Sequence, residues 1–184
     1  MNTINTIMIN IETEFYNANE AFEYFYKTIS KHGRKFADTR ALFNVGFTIH
    51  KPKLSYIRAN YRNWNFDYAK AEWEWYLSGD KNVKKLGEIY GKVPPIWERM
   101  ADVNGDVNSN YGYQWKRNGQ LDYVIDKLKN HKHTRHAAIS IYDCKEHDQF
   151  ENDTPCTYAV QFTNVENLSL IHIYEPTRQA EISY

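Results

Sequence analysis

Cysteine, proline and glycine are all scarce, at 2, 5 and 8 among 184 residues. Cys144 and Cys156 are not in a C-x-x-C spacing. That excludes a small disulfide-stapled scaffold, and each is read as a thiol. So little proline and glycine excludes a collagen-like or low-complexity chain. Excess charge of either sign is lacking too: 23 Lys and Arg face 23 Asp and Glu. A polybasic coat for nucleic acid polymers or for an anionic membrane surface is thereby excluded, although a few local arginines would suffice for a small phosphorylated ligand. No run approaches the roughly 20 apolar residues of a membrane span. The opening residues, MNTINTIMINIETEFYN, have no basic n-region and no long apolar stretch, so they do not read as a signal peptide. What the chain does have is 42% hydrophobic and 16% aromatic residues. That much aromatic surface seeks burial, and the length allows a core without covalent staples.

Periodicity organises the chain into mixed elements. Ala21, Phe22, Phe25 and Ile29 recur at helical spacing, predicting a helix over Ala18–His32 with Gly33 as its stop. ALFNVGFTIH, Ala41–His50, has β-branched and aromatic residues in rough alternation and predicts a strand. A basic, aromatic loop follows over Lys51–Asn65, then helices over Asp67–Leu77 and Asn82–Ile89, a Pro94-Pro95 break, an IWERM segment and a turn-rich stretch, Asp102–Asn110. Gln120–Asn130 places Leu121, Val124, Ile125 and Leu128 on one helical face. Ala137–Tyr142 and Tyr158–Thr163 read as buried strands, and Thr154-Pro155 keeps the chain extended before Cys156. No internal repeat is present.

Four groups of residues could carry chemistry. Cys156, at the start of a strand after a loop and a proline, is placed to present a thiol to a cleft. The plainer reading is a packed core cysteine. Arg135, just before the preceding strand, could supply the positive charge that activates it. Glu72 shares a helical face with Tyr68 and Trp75, so it lies at the edge of that face or is buried with a proton-handling task; Glu74 reads as a solvated neighbour. Tyr111, after the dense Asn/Gly/Ser loop, could set a phenol at a site floor. His131, His133, His136, Cys144 and His147 invite a zinc reading, but their spacings do not fit a closed Cys/His finger. They are read instead as loop residues beside an anion site, with no metal.

The segment Leu168–Tyr184 has no Asn, Lys or Gly, unlike the Asn- and Lys-rich residues before it. LSLIHI is what CTG-TCT-CTT-ATA-CAC-ATC encodes, a run resembling a sequencing-library adapter. The expectation is a domain over residues 1–167, incomplete at its C-terminus, followed by a non-native tail over 168–184; the alternative is an ordinary C-terminal strand.

The ordered set of motifs resembles the thymidylate synthase and deoxypyrimidine hydroxymethylase superfamily. The set comprises Thr39-Arg40, E-x-x-W-Y-L-S-G-D-type residues at Glu72–Asp80, Ile96-Trp97, ADxxGD at Ala101–Asp106, NYGYQW at Asn110–Trp115, Arg135 and PCxxxxQF at Pro155–Phe162. The resemblance implies an α+β fold, a mixed β-sheet flanked by helices, in a homodimer built by stacking sheets. It also implies one-carbon transfer from 5,10-methylenetetrahydrofolate to C5 of a deoxypyrimidine monophosphate, dUMP to dTMP, in the cytoplasm (a host's, if phage-encoded). In that reading Cys156 is the nucleophile, Glu72 organises protons around the ring, and Tyr111 serves proton abstraction at C5. Arg40 and Arg135 hold the phosphate, Arg135 across the dimer; Gln161 supports the pocket floor, and Trp97 packs near the folate. Three departures from the synthase pattern stand out: Cys156-Thr157 where synthases have Cys-His, Arg135-His136 where they have paired arginines, and NSNYG at Asn108–Gly112 where they have LGPVYG. The first and third of these, with the E-x-E-W-Y helix at Glu72–Tyr76, resemble phage-type dCMP hydroxymethylases, whereas Gln114-Trp115 and Leu77–Asp80 resemble synthases, so hydroxymethylation is the alternative product chemistry. In the family the residues that read the base lie beyond the position of Asn167. The chain by itself is therefore expected to be inactive in turnover, and an inactive fragment or nucleotide-binding remnant is the non-enzymatic alternative.

Overall fold

The computed structural model describes residues 12–145, 150, 152–166 and 168–174. His147, one of the histidines weighed for a metal, lies outside them. The chain divides into two compact units at Trp64/Asn65.

In the first unit, helix α1 spans Ala18–His32 as the periodicity predicts. Asn17 caps it by accepting the Glu20 N–H, and the Glu20 carboxylate in turn accepts the N–H of Tyr16, so two otherwise orphaned donors are satisfied. Gly33 ends the helix with extended rather than left-handed backbone. Strand β1, Glu14–Phe15, pairs in parallel with β4, Thr48–Ile49, while β2, Arg34–Phe36, and β3, Thr39–Ala41, form an antiparallel hairpin. The strand expected over Ala41–His50 is therefore mostly loop. Asn44 sits at φ 56°, in the left-handed region that interrupts extended backbone. Phe15 is buried against the rings of Tyr24, Phe25 and Phe47.

The second unit begins with α2, Phe66–Ser78, capped by the Asn65 side chain and ended by Gly79 at φ 74°. Then come α3, Val83–Tyr90, and α4, Pro95–Met100, whose proline occupies the first helical turn where its missing N–H costs nothing. The turn-rich stretch leads into α5, Tyr111–Lys116, and α6, Gln120–Asn130. Strands β5, Ala138–Ser140, β6, Ala159–Val165, and β7, Leu168–Tyr174, make an antiparallel sheet in that order. The architecture is α+β as expected, but among the described residues there are three small sheets, each purely parallel or antiparallel, instead of one mixed sheet.

Two apolar clusters hold this unit. Ala71, Trp75, Val83, Leu86 and Val107 join α2, α3 and the loop before α5. Val124, Ala137, Ile139, Ile141 and Val160 join α6 to the sheet. Val160 and Phe162 face that cluster from β6, so Gln161 between them lies on the opposite face. No helix among the described residues is long and apolar enough to cross a membrane.

Candidate functional site

Helix α2 sets Tyr68, Glu72 and Tyr76 four residues apart, hence on one stripe. Trp75, one turn from Glu72, is wholly buried, whereas Glu72 is half-buried at the margin of that core. The Tyr76 hydroxyl donates to Glu72 Oε1 at 2.7 Å. The Tyr68 hydroxyl lies against the same carboxylate and accepts the indole N–H of Trp97 at 2.6 Å. Burial, reinforced by the negative charge of Glu72, pushes the Tyr68 phenol up to about 12. The same two causes, in the same order, push Tyr76 far above its ordinary value. Both phenols therefore stay protonated around neutral pH and keep donating to the carboxylate.

Tyr111 reaches this stripe because α5 comes unusually close to α2. A β-carbon on Gly112 would fall on the main-chain carbonyl of Tyr76, so only glycine permits the approach. Asn110 caps the short helix by accepting the Tyr113 N–H at 2.9 Å. Buried Gln114 donates to the Asn108 carbonyl at 2.7 Å, fixing the loop that delivers Tyr111. The ring of Tyr111 meets that of Tyr76 edge-on at 6.0 Å. Its hydroxyl oxygen accepts the N–H groups of Cys156 at 2.9 Å and Thr157 at 3.2 Å. Burial raises the Tyr111 phenol, while the two N–H donors pull the other way.

The cysteine loop is tied down from further points. Ser109 donates to Asp153, Asn152 donates to the Ala101 carbonyl at 2.9 Å, and Tyr142 donates to the Pro155 carbonyl at 3.0 Å. Cys156 itself is half-buried and Cys144 exposed, and the two are not bridged. An apolar recess of about 340 Å³ opens beside Tyr76 and Tyr111, walled by Trp73, Leu77, Trp115 and Thr157. Cys156 is not among its walls, although the adjoining Thr157 is.

Of the residues singled out from sequence, Cys156, Tyr111, Glu72 and Trp97 thus share one run of contacts through Tyr76 and Tyr68. The other three are not among these contacts. Gln161 sits on β6, across from Ala138 and His172. Arg135 is exposed in the loop before β5, on an open basic recess with Lys127, His131, Lys132, His133 and His136. Arg40 is in the first unit, on β3, where its guanidinium donates to the Gly33 carbonyl at 3.2 Å. Among the described residues no group of three or more His, Cys, Asp or Glu side chains converges as a metal site would require.

Sequence reasoning did not assign roles to Tyr76, Tyr142 or Arg117. Tyr76 follows Glu72 by four residues, which was signal enough for a contact. Arg117 is buried and donates to the carbonyls of Ser140 and Ile141, with Asp143 at 3.4 Å. Nothing in its local pattern distinguishes it from a surface arginine.

Comparison with known proteins gives these contacts a setting. The crystal structure of thymidylate synthase from T4 phage is similar at 24% identity and a TM-score of 0.50, a likeness that carries the fold alone. It covers 61% of this chain and 44% of the phage enzyme, so the chain spans less than half of that relative's length. The profile described as thymidylate synthase matches residues 22–176, from α1 through β7. The chain belongs to the thymidylate synthase family.

Proposed function

We propose that this chain carries the covalent half of a one-carbon transfer to C5 of a deoxypyrimidine monophosphate, dUMP to dTMP. The observation that carries the reading is the run from Glu72 through Tyr76 and Tyr111 to the amide of Cys156. It sets a thiol, a phenol and a carboxylate in one neighbourhood from three separate elements.

Ring carbon C5 of a pyrimidine is a poor nucleophile. The Cys156 thiolate adds to C6, and the electron pair of the C5–C6 bond moves onto C5 and the 4-carbonyl. C5 can then form a bond to an electrophilic carbon, after which its proton must leave; Tyr111 is the group proposed to serve that transfer. Glu72, kept in place by two phenols, orders protons about the 4-position. 5,10-Methylenetetrahydrofolate would supply the one-carbon unit as co-substrate. Trp97 suits it through its ring face, since its N–H is already committed to Tyr68. Arg40 and Arg135 would take the phosphate by charge-assisted hydrogen bonds, Gln161 would support the pocket floor, and the working assembly would be a homodimer.

Hydroxymethylation of dCMP is the second reading. The observation favouring it is Thr157, buried with its N–H on Tyr111, where synthases place a histidine beside the nucleophile. The two readings are tested together with 5-fluoro-dUMP and 5-fluoro-dCMP at millimolar concentration in the presence of the folate. Fluorine cannot leave C5 as a cation, so the covalent adduct accumulates without turnover. Intact-mass analysis with peptide mapping should place the adduct on Cys156, with the uracil analogue if the first reading holds and the cytosine analogue if the second does. Absence of adduct from both would overturn the enzymatic reading and leave a nucleotide-binding remnant.

A further inference from the structure

We propose that Tyr142, which follows β5, is a positioning residue for the Cys156 thiol, an inference that rests on the function proposed above. Two phenols grip the two polar atoms of a single amide. The carbonyl of Pro155 and the N–H of Cys156 belong to the same peptide unit; Tyr142 donates to the first at 3.0 Å, and Tyr111 accepts the second at 2.9 Å. One such bond would leave the amide free to tilt about it. Two, from side chains 13 and 45 residues away in the chain, fix its plane. The orientation of that plane sets φ of Cys156 and with it the direction of the Cα–Cβ bond that carries sulfur. Pro155 is buried and has no N–H, so its side of the joint is held through the carbonyl.

The geometry behind Tyr142 is itself secured. The neighbouring Ile141 N–H donates to the Tyr158 carbonyl at 2.9 Å, pairing this segment with the start of β6. Buried Arg117 holds the Ile141 carbonyl at 3.1 Å from the other side. Burial and the nearby Cys156 raise the Tyr142 phenol, so it remains a donor. Tyr142 touches neither substrate nor sulfur in this scheme; it acts through the amide, and its loss should slow the bond-forming step without weakening nucleotide binding.

The test compares the unsubstituted chain, Tyr142→Phe and Tyr158→Phe in formation of the Cys156 adduct with the fluorinated nucleotide and folate. Tyr158→Phe removes an exposed phenol beside the same strand and serves as the control. For Tyr142→Phe the rate at saturating nucleotide should fall by roughly tenfold while the half-saturating concentration stays within about twofold, the signature of an interaction that positions the reacting group. The thermal midpoint should lie below that of Tyr158→Phe by no more than the loss of one hydrogen bond accounts for. An unchanged saturating rate in Tyr142→Phe would overturn the proposal, as would a fall accompanied by equal changes in half-saturation and thermal midpoint. Failure of the unsubstituted chain to form any adduct would instead overturn the functional reading, and the role of Tyr142 with it.

Discussion

The neighbourhood of Cys156 and the loop around Arg135 hold polar groups in opposite ways. Around Cys156, phenols that are partly or mostly buried reach across the chain: Tyr111 to two amides, Tyr142 to a carbonyl, Tyr76 to Glu72. Around Arg135, six basic or imidazole side chains crowd an open recess, and His131, His133, Arg135 and His136 are exposed. Arg40 likewise is exposed, its guanidinium engaging a nearby main-chain carbonyl. Covalent chemistry needs a sulfur aimed to within a fraction of an ångström, which packed hydroxyls can supply. Binding a phosphate needs charge and donors that can adjust, which long exposed side chains supply. Substitutions should therefore split into those that abolish the bond-forming step and those that only shift affinity.

The largest effect is expected from Cys156→Ser. A serine hydroxyl at neutral pH is a far weaker nucleophile than a thiol, so adduct formation should fall by several decades. The fold should survive, because the side chain is half-buried and the main-chain bonds to Tyr111 remain available. A variant keeping more than roughly a tenth of the rate would remove Cys156 from the role of nucleophile. Next in size is Gly112→Ala, whose added methyl meets the Tyr76 carbonyl, a backbone atom that cannot swing aside. Loss of about 3 kcal/mol of stability is expected from such overpacking, measured by denaturant unfolding. A variant of unchanged stability would mean that α2 and α5 can separate, and that the run of contacts from Glu72 to Cys156 is loose.

Arg40→Ala and Arg135→Ala should act more mildly. Each is expected to raise the half-saturating nucleotide concentration by about tenfold, the worth of one charge-assisted hydrogen bond, with the saturating adduct rate unchanged. A fall in the saturating rate would erase the division between aiming and adaptable groups.

Much of this arrangement is legible in the residues themselves. Ala18–His32 and Gln120–Asn130 are helices with the predicted bounds, because an apolar stripe recurring every three to four residues has no other way to be buried. Glu72 could be chosen because a carboxylate on an aromatic helix face is an unusual placement, whereas Tyr111 stands out only through the family motif NYGYQW, its loop by itself reading as an ordinary turn cluster. Tyr142 and Arg117 could not, since their partners are main-chain carbonyls of Pro155, Ser140 and Ile141, and no side-chain pattern advertises a carbonyl. The strand expected over Ala41–His50 failed for a related reason. β-Branched and aromatic residues favour extended backbone only where a neighbour pairs with it, and Asn44 turns the chain away after Ala41.

The smallest expected effect belongs to Tyr68, which touches Glu72 and Trp97 but not the cysteine loop. Its phenol ionises near 10 when the chain is unfolded and at about 12 when folded. Below 10 both states carry the proton, and the residue adds no pH dependence. Between 10 and about 12 the unfolded chain releases the proton while the folded chain retains it, so stability falls as pH rises through that window. Tyr76 is raised further and prolongs the decline at still higher pH. Tyr68→Phe removes one titrating group, so its thermal midpoint should fall less steeply between pH 10 and 12 than that of the unsubstituted chain. The two should run parallel between pH 7 and 9, offset by about 1 kcal/mol for the lost hydrogen bond. At pH 8 the adduct rate of Tyr68→Phe should change by less than about threefold, since Tyr76 still holds Glu72. Identical slopes in the two proteins would mean that the Tyr68 hydroxyl is wetter than its place between Glu72 and Trp97 implies. A drop in adduct rate as large as that expected for Tyr142→Phe would move the decisive grip from the amide of Cys156 to the carboxylate of Glu72.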